Sequence, residues 1–168
     1  FETMALFISI GWGSAAQTFV GQNLGARHLA RAKHSGYWAA LYNTVMMAAL
    51  AIFYVTCASA IVGFFNDDPQ VLEVSRGYLL WVAPSYVGLG IGIVLGSGIQ
   101  GAAAPVRALV LDAMVVLCVQ LPASVLVVLT PGRSLTHVWL TVALSYVALA
   151  LAFVASYRRG KFLQAVVA

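Results

Sequence analysis

Five stretches without a single charged residue run from Thr3 to Ala26, Ser35 to Asn66, Gly77 to Val106, Ala113 to Gly132 and Ser134 to Tyr157. Each reaches at least about the 20 residues that a helix needs to cross roughly 30 Å of hydrocarbon. A soluble globular fold is excluded by the same pattern, because only 8% of the 168 residues are charged and 62% are hydrophobic, against about 25% charged in soluble domains. Strands of a membrane barrel would be about ten residues long with strict in-and-out alternation. Runs such as Leu109 to Leu117 and Leu140 to Phe153 show no such alternation. The expected fold is therefore all-α: a polytopic membrane protein with five transmembrane helices near residues 3–26, 35–66, 77–104, 106–130 and 135–157.

Charge sets the orientation. Arg27, Arg31, Lys33, Arg107, Arg158, Arg159 and Lys161 fall in the connections on one side, and only Arg76 and Arg133 on the other. Excess Lys and Arg marks the cytoplasmic side, which places the C-terminal end of the last span in the cytoplasm; the membrane expected is the plasma membrane. The net charge of +4 thus reports topology in a lipid bilayer, and no nucleic-acid partner is expected. Between the second and third spans, Asp67, Asp68 and Glu73 mark an outer connection. Asp68 followed by Pro69 reads as a helix N-cap with proline at the first helical position, so a short amphipathic helix is expected there. Tyr37, Trp38, Tyr78, Trp81, Trp139 and Tyr157 lie near span ends, where amphipathic rings settle among headgroups.

The polar and small residues inside the spans are the candidate functional groups. Gly13, Gln17, Gly21 and Gly25 recur at four-residue intervals in the first span, with Ser14, Thr18 and Gln22 on the adjacent row. Such a face belongs against protein, either as a helix-packing contact or as the lining of a polar cavity. Gly88, Gly92 and Gly96 repeat the spacing in the third span below Pro84, a pattern that serves close packing or bending. In the second span Asn43 has Ala39, Ala40, Met46 and Met47 on its face, which fits an interhelical hydrogen bond or an adaptable site for apolar cations. The fourth span holds Asp112, the one carboxylate deep in a span, followed by Gln120, Pro122 and Ser124. An acid at that depth is expected to face the bundle interior, be protonated or find a partner, unless it reaches cytoplasmic water. Arg107 is displaced by about 140° around the same helix and is not expected to pair with it. Pro122 removes one backbone hydrogen bond and frees the Cys118 carbonyl, which makes this helix kinkable.

Catalytic and metal-binding chemistry has no sequence support. Cys57 and Cys118 lie singly in apolar runs, and His28, His34 and His137 are placed in connections. There is no GxSxG, HExxH or Walker pattern, so no catalytic residue, metal or cofactor is assigned and the chain is not read as an enzyme. Gly90, Gly92 and Gly96 imitate a dinucleotide fingerprint, but within thirty uncharged residues they lack the strand and soluble helix that motif requires.

The segment GWGSAAQTFVGQNLGARHLARA at 11–32 resembles a signature of the multidrug and toxic compound extrusion (MATE) transporters. FFNDDPQVLEVSRGYLLWVAPSY at 64–86 and GSGIQGAAAP at 96–105 resemble that family's outer loop and glycine-rich helix exit. The resemblance implies that residues 1–168 are the last five helices of a C-terminal lobe, whose partner would be an N-terminal lobe outside this sequence. It further implies antiport, in which inward H⁺ or Na⁺ movement drives extrusion of organic, often cationic, small molecules by alternating access. Part of the family carries a cation-binding carboxylate in the helix equivalent to 77–101, at a position that falls near Leu89 or Gly90 here. With no acid there, the coupling site is expected in the N-terminal lobe. Two other readings remain open: a lipid-linked oligosaccharide flippase of the same superfamily, and a non-transporting membrane scaffold.

Overall fold

The computed structural model describes residues 1–66, 68–132 and 134–166, and every regular element among them is helical. In chain order these are α1 (Glu2–Gly25), α2 (Leu29–Phe65), α3 (Pro69–Val82), a 3-10 turn over Ala83–Ser85 and α4 (Tyr86–Gly101). There follow α5 (Pro105–Val115), a π-helical segment over Val116–Gln120, α6 (Leu121–Leu129), α7 (Leu135–Arg159) and a final 3-10 segment, Lys161–Val166. Five stretches are long and apolar enough to cross a membrane: Glu2–Gly25, Leu29–Phe65, Pro69–Gly101, Pro105–Leu129 and Leu135–Arg159.

The helix ends follow capping and backbone sterics rather than the limits of the uncharged runs. α2 starts at Leu29 instead of near residue 35, so Arg31, Lys33 and His34 belong to the helix. Arg and Lys are good helix formers, so charge does not stop a helix; the break comes at Arg27, whose positive φ of 61° turns the chain. His137 is likewise inside α7, where its Nδ1 accepts a hydrogen bond from the Ser134 backbone N–H at 3.3 Å. The N-cap at Asp68 is present, its Oδ1 accepting from the Gln70 N–H at 2.8 Å. The expected short amphipathic helix is present as α3, but it does not stand apart from the third span. α3 runs through the 3-10 turn into α4 as one stretch, Pro69–Gly101. Pro84 has no N–H to continue the ladder, the turn tightens, and Ser85 Oγ bonds the Val82 carbonyl at 2.6 Å. Asp67 and Arg133, assigned above to the outer side, lie outside the described residues.

The same proline logic shapes the fourth stretch. A proline ring crowds the carbonyl four residues back, here that of Cys118, and the wider π turn over Val116–Gln120 gives that carbonyl room.

α4 forms the centre of the bundle, packed on α1, α2 and α7. Most of α4 is buried, whereas the fourth stretch buries few of its residues and lies at the periphery. Lipid supplies no hydrophobic force between helices, so close approach through small residues must hold them together. A Cβ on Gly88 would lie 2.7 Å from the Tyr146 carbonyl oxygen, and one on Gly92 2.6 Å from the Leu149 side chain. The Gly96 position meets the Phe153 ring at 3.0 Å, which completes a glycine seam along α7. On the opposite side Gly13 faces Ser97, Gly21 faces the Gly101 carbonyl and Gly101 lies against the Gln17 backbone. Buried apolar residues fill two layers, one with Val20, Leu95, Ile99, Phe153 and Tyr157, the other with Tyr54, Leu79, Val82 and Tyr86. At the basic end Lys33 Nζ bonds the Arg158 carbonyl at 2.8 Å, a cation on the last turn of α7 where the helix dipole favours it.

Candidate substrate-lining face

α1 has two different faces. Ala5, Ser9, Gly13, Ala16, Val20 and Leu24 are buried, and the adjacent row with Ser14, Gln17, Thr18, Gln22 and Gly25 is exposed. Ser14 and Thr18 turn their hydroxyls back onto the carbonyls of Ile10 and Ser14, at 3.0 and 2.9 Å. Such bonds satisfy the donors but leave the oxygens able to accept. The small-and-polar face is thus divided: Gly13 and Gly21 pack on α4, the Gln17 backbone touches Gly101, and the Gln17 side chain is exposed. A Cβ on Gly25 would meet nothing within 4 Å. On the other helices the exposed membrane surface is mainly apolar, with Ile52, Leu109, Leu126 and Leu151 each more than half exposed. The α1 row therefore stands out as polar surface on an apolar bundle.

Asn43 is not on that surface. It is fully buried, and neither its amide nitrogen nor its oxygen has a hydrogen-bond partner. A Cβ on Gly90 would collide with its Nδ2 and lie 3.1 Å from Ser9 Oγ and 3.0 Å from Met47 Cγ. Met46 is separate from this group: it accepts from Trp12 Nε1 at 2.9 Å on the exposed side of α2. Buried polar groups normally pair, so the orphaned Asn43 amide is a local cost of about 1–3 kcal/mol.

Asp112 does not face the bundle interior; it is exposed on α5, the peripheral helix. Arg107 donates Nε–H to Ser156 Oγ at 3.3 Å, which ties α5 to α7. Gln120 is half-buried in the π segment, and Pro122 is exposed in the first turn of α6. Gln17, Asn43, Asp112 and Gln120 therefore occupy an exposed row on α1, the buried core, a peripheral surface and a π turn respectively. They do not form one site within this chain.

One carboxylate carries no signal in the sequence because it precedes the first uncharged run. Glu2 accepts a hydrogen bond from Tyr146 Oη at 2.8 Å, joining the start of α1 to the middle of α7 across 144 residues of chain. Only the folded bundle brings them together, and no local pattern marks the pair.

These features define a polytopic helical membrane protein with a polar row on one helix and, among the described residues, no assembled catalytic constellation. A family model, MatE, matches residues 1–126, and the chain belongs to the MatE family. A FAD transporter of Shewanella oneidensis is 29% identical over 125 residues, covering 74% of this chain and 28% of that protein. The chain thus spans less than a third of the length of that relative. No solved structure matches it.

Proposed function

We propose that this chain is part of a secondary active antiporter that exports organic small molecules in exchange for H⁺ or Na⁺ by alternating access. The observation that carries the reading is the exposed row Ser14, Gln17, Thr18 and Gln22 on α1. A membrane protein leaves amides uncovered where they line water or a partner, and a face of hydroxyls and carboxamides hydrogen-bonds varied solutes without demanding one charge. In this reading the row faces a cavity shared with a second lobe, which also holds the coupling ion, and the basic end of the bundle lies in the cytoplasm of a bacterial cell. Asp112 lies away from the α1 row on the peripheral helix and, in this reading, takes no part in cargo binding or ion coupling.

A second cargo is favoured by one finding, the relative named as a FAD transporter. A flavin dinucleotide is anionic where the drugs expected above are cationic, so the two cargoes make opposite demands on charge. The test is efflux from proteoliposomes holding the full-length protein under an imposed H⁺ or Na⁺ gradient, with a cationic dye and with FAD. Gradient-dependent movement of either supports antiport and identifies the cargo class. Gln17→Leu is expected to reduce transport more than Thr56→Val, whose hydroxyl bonds the Ile52 carbonyl at 2.8 Å on α2. Equal loss in the two variants at matched expression, or transport indifferent to both gradients, would overturn the proposal.

A further inference from the structure

At the basic end of the bundle the turn at Ala103, with a positive φ of 57°, swings the chain from α4 into α5 and leaves an open groove. It is about 590 Å³ in volume and is lined by Ala104, Val106, Arg107, Val110, Lys161 and Phe162 among others. We propose that this groove binds one anionic phospholipid, with its phosphate held by Arg107 and Lys161 and an acyl chain laid along α5. Three observations agree on that occupant. First, among the described residues the groove is lined by two cations and no acid, so its charge complements a phosphate and not a zwitterionic surface. The Arg107 Nε–H is held by Ser156, which fixes the guanidinium plane and leaves its other N–H groups to bind. The neighbouring Lys33, by contrast, is already engaged with the Arg158 carbonyl.

Second, the first turn of α5 starts at Pro105 beside both cations, and a helix N-terminus adds partial positive charge. Third, the rest of the lining is apolar and continues outward: Val106 is 70% exposed, Leu109 67% and Val110 50%. A soluble anion would make no use of that surface, whereas a lipid tail covers it. The groove also sits where seven of the nine basic residues of the sequence collect, the level of a headgroup region.

The experiment is native mass spectrometry of the full-length protein released from nanodiscs containing equal phosphatidylglycerol and phosphatidylcholine. The wild type is expected to retain phosphatidylglycerol preferentially, and Lys161→Gln and Arg107→Gln each to lower that preference about fivefold. Lys161→Gln keeps the result interpretable if Arg107→Gln disturbs the contact with Ser156. Equal retention of the two lipids, or unchanged preference in Lys161→Gln, would overturn the proposal. Displacement of bound lipid by inorganic phosphate would also overturn it, because the site would then belong to a soluble anion.

Discussion

The α4–α7 seam gives the sharpest forecast of stability. In Gly88→Ala the new methyl would stand 2.7 Å from the Tyr146 carbonyl oxygen and 3.0 Å from its carbon. Both are backbone atoms inside α7, so no side chain can rotate away. Restoring ordinary contact at about 3.4 Å requires α7 to retreat by roughly 0.7 Å, and a gap of that size forfeits a quarter to a half of the dispersion energy of each neighbouring contact. Leu149 against Gly92 and Phe153 against Gly96 lie on the same seam and would loosen with it. Overpacking of this kind costs about 1–3 kcal/mol, more than the gain of up to about 1 kcal/mol that alanine brings over glycine in a helix. Gly63→Ala is the matched control, since nothing lies within 4 Å of a Cβ at that position. Fluorescence-detected size exclusion after heating in detergent measures the difference. The expected result is a clearly lower midpoint for Gly88→Ala and an unchanged or raised one for Gly63→Ala. Equal midpoints would refute the close approach of α4 and α7.

Asn43→Leu removes a buried amide without partners, so its detergent stability should match or exceed the wild type by about 1 kcal/mol; a large loss in the same heating assay would show that the amide is paired. Asp68→Ala should cost about 1 kcal/mol by uncapping α3, seen as faster amide exchange at Gln70 and the two residues after it, and unchanged exchange would reject the cap. Lys33→Gln should release the last turn of α7 at a cost of about 0.5–1.5 kcal/mol, read as increased protease sensitivity after Arg158, with unchanged cleavage counting against the contact. Asp112→Asn should leave gradient-driven efflux of cationic and other cargo unchanged, as expected of a carboxylate outward on the peripheral helix; complete loss with intact membrane insertion would make Asp112 the coupling group.

The membrane architecture was legible because uncharged length and helical geometry are local properties. The Asp68 cap and the Pro122 irregularity were legible for the same reason, being set within a few residues. Helix ends were less so: Arg31 and Lys33 mark where the headgroups begin, but the backbone breaks at Arg27. Glycine spacing identified packing faces, and the partners emerged only in three dimensions, with Gly88 against Tyr146 and Gly101 against Gln17. Site residues were the least legible. A lone Asn, Asp or Gln in a span announces a polar group but not the direction it faces. Asn43 turned into the buried core and Asp112 outward on a peripheral helix. Glu2 was invisible because its partner Tyr146 is distant in sequence.

The central claim is that the exposed row on α1 lines an aqueous pathway, and cysteine accessibility tests it most directly. In full-length protein with Cys57 and Cys118 replaced, single cysteines at Gln17, Thr18 and Gln22 are treated with a membrane-impermeant maleimide. Leu109, 67% exposed on α5, serves as the apolar comparison. Labelling of the α1 positions that is slowed by transported cargo, with Leu109→Cys unreactive, is the predicted result. Labelling at Leu109→Cys but at none of the α1 positions would contradict the account.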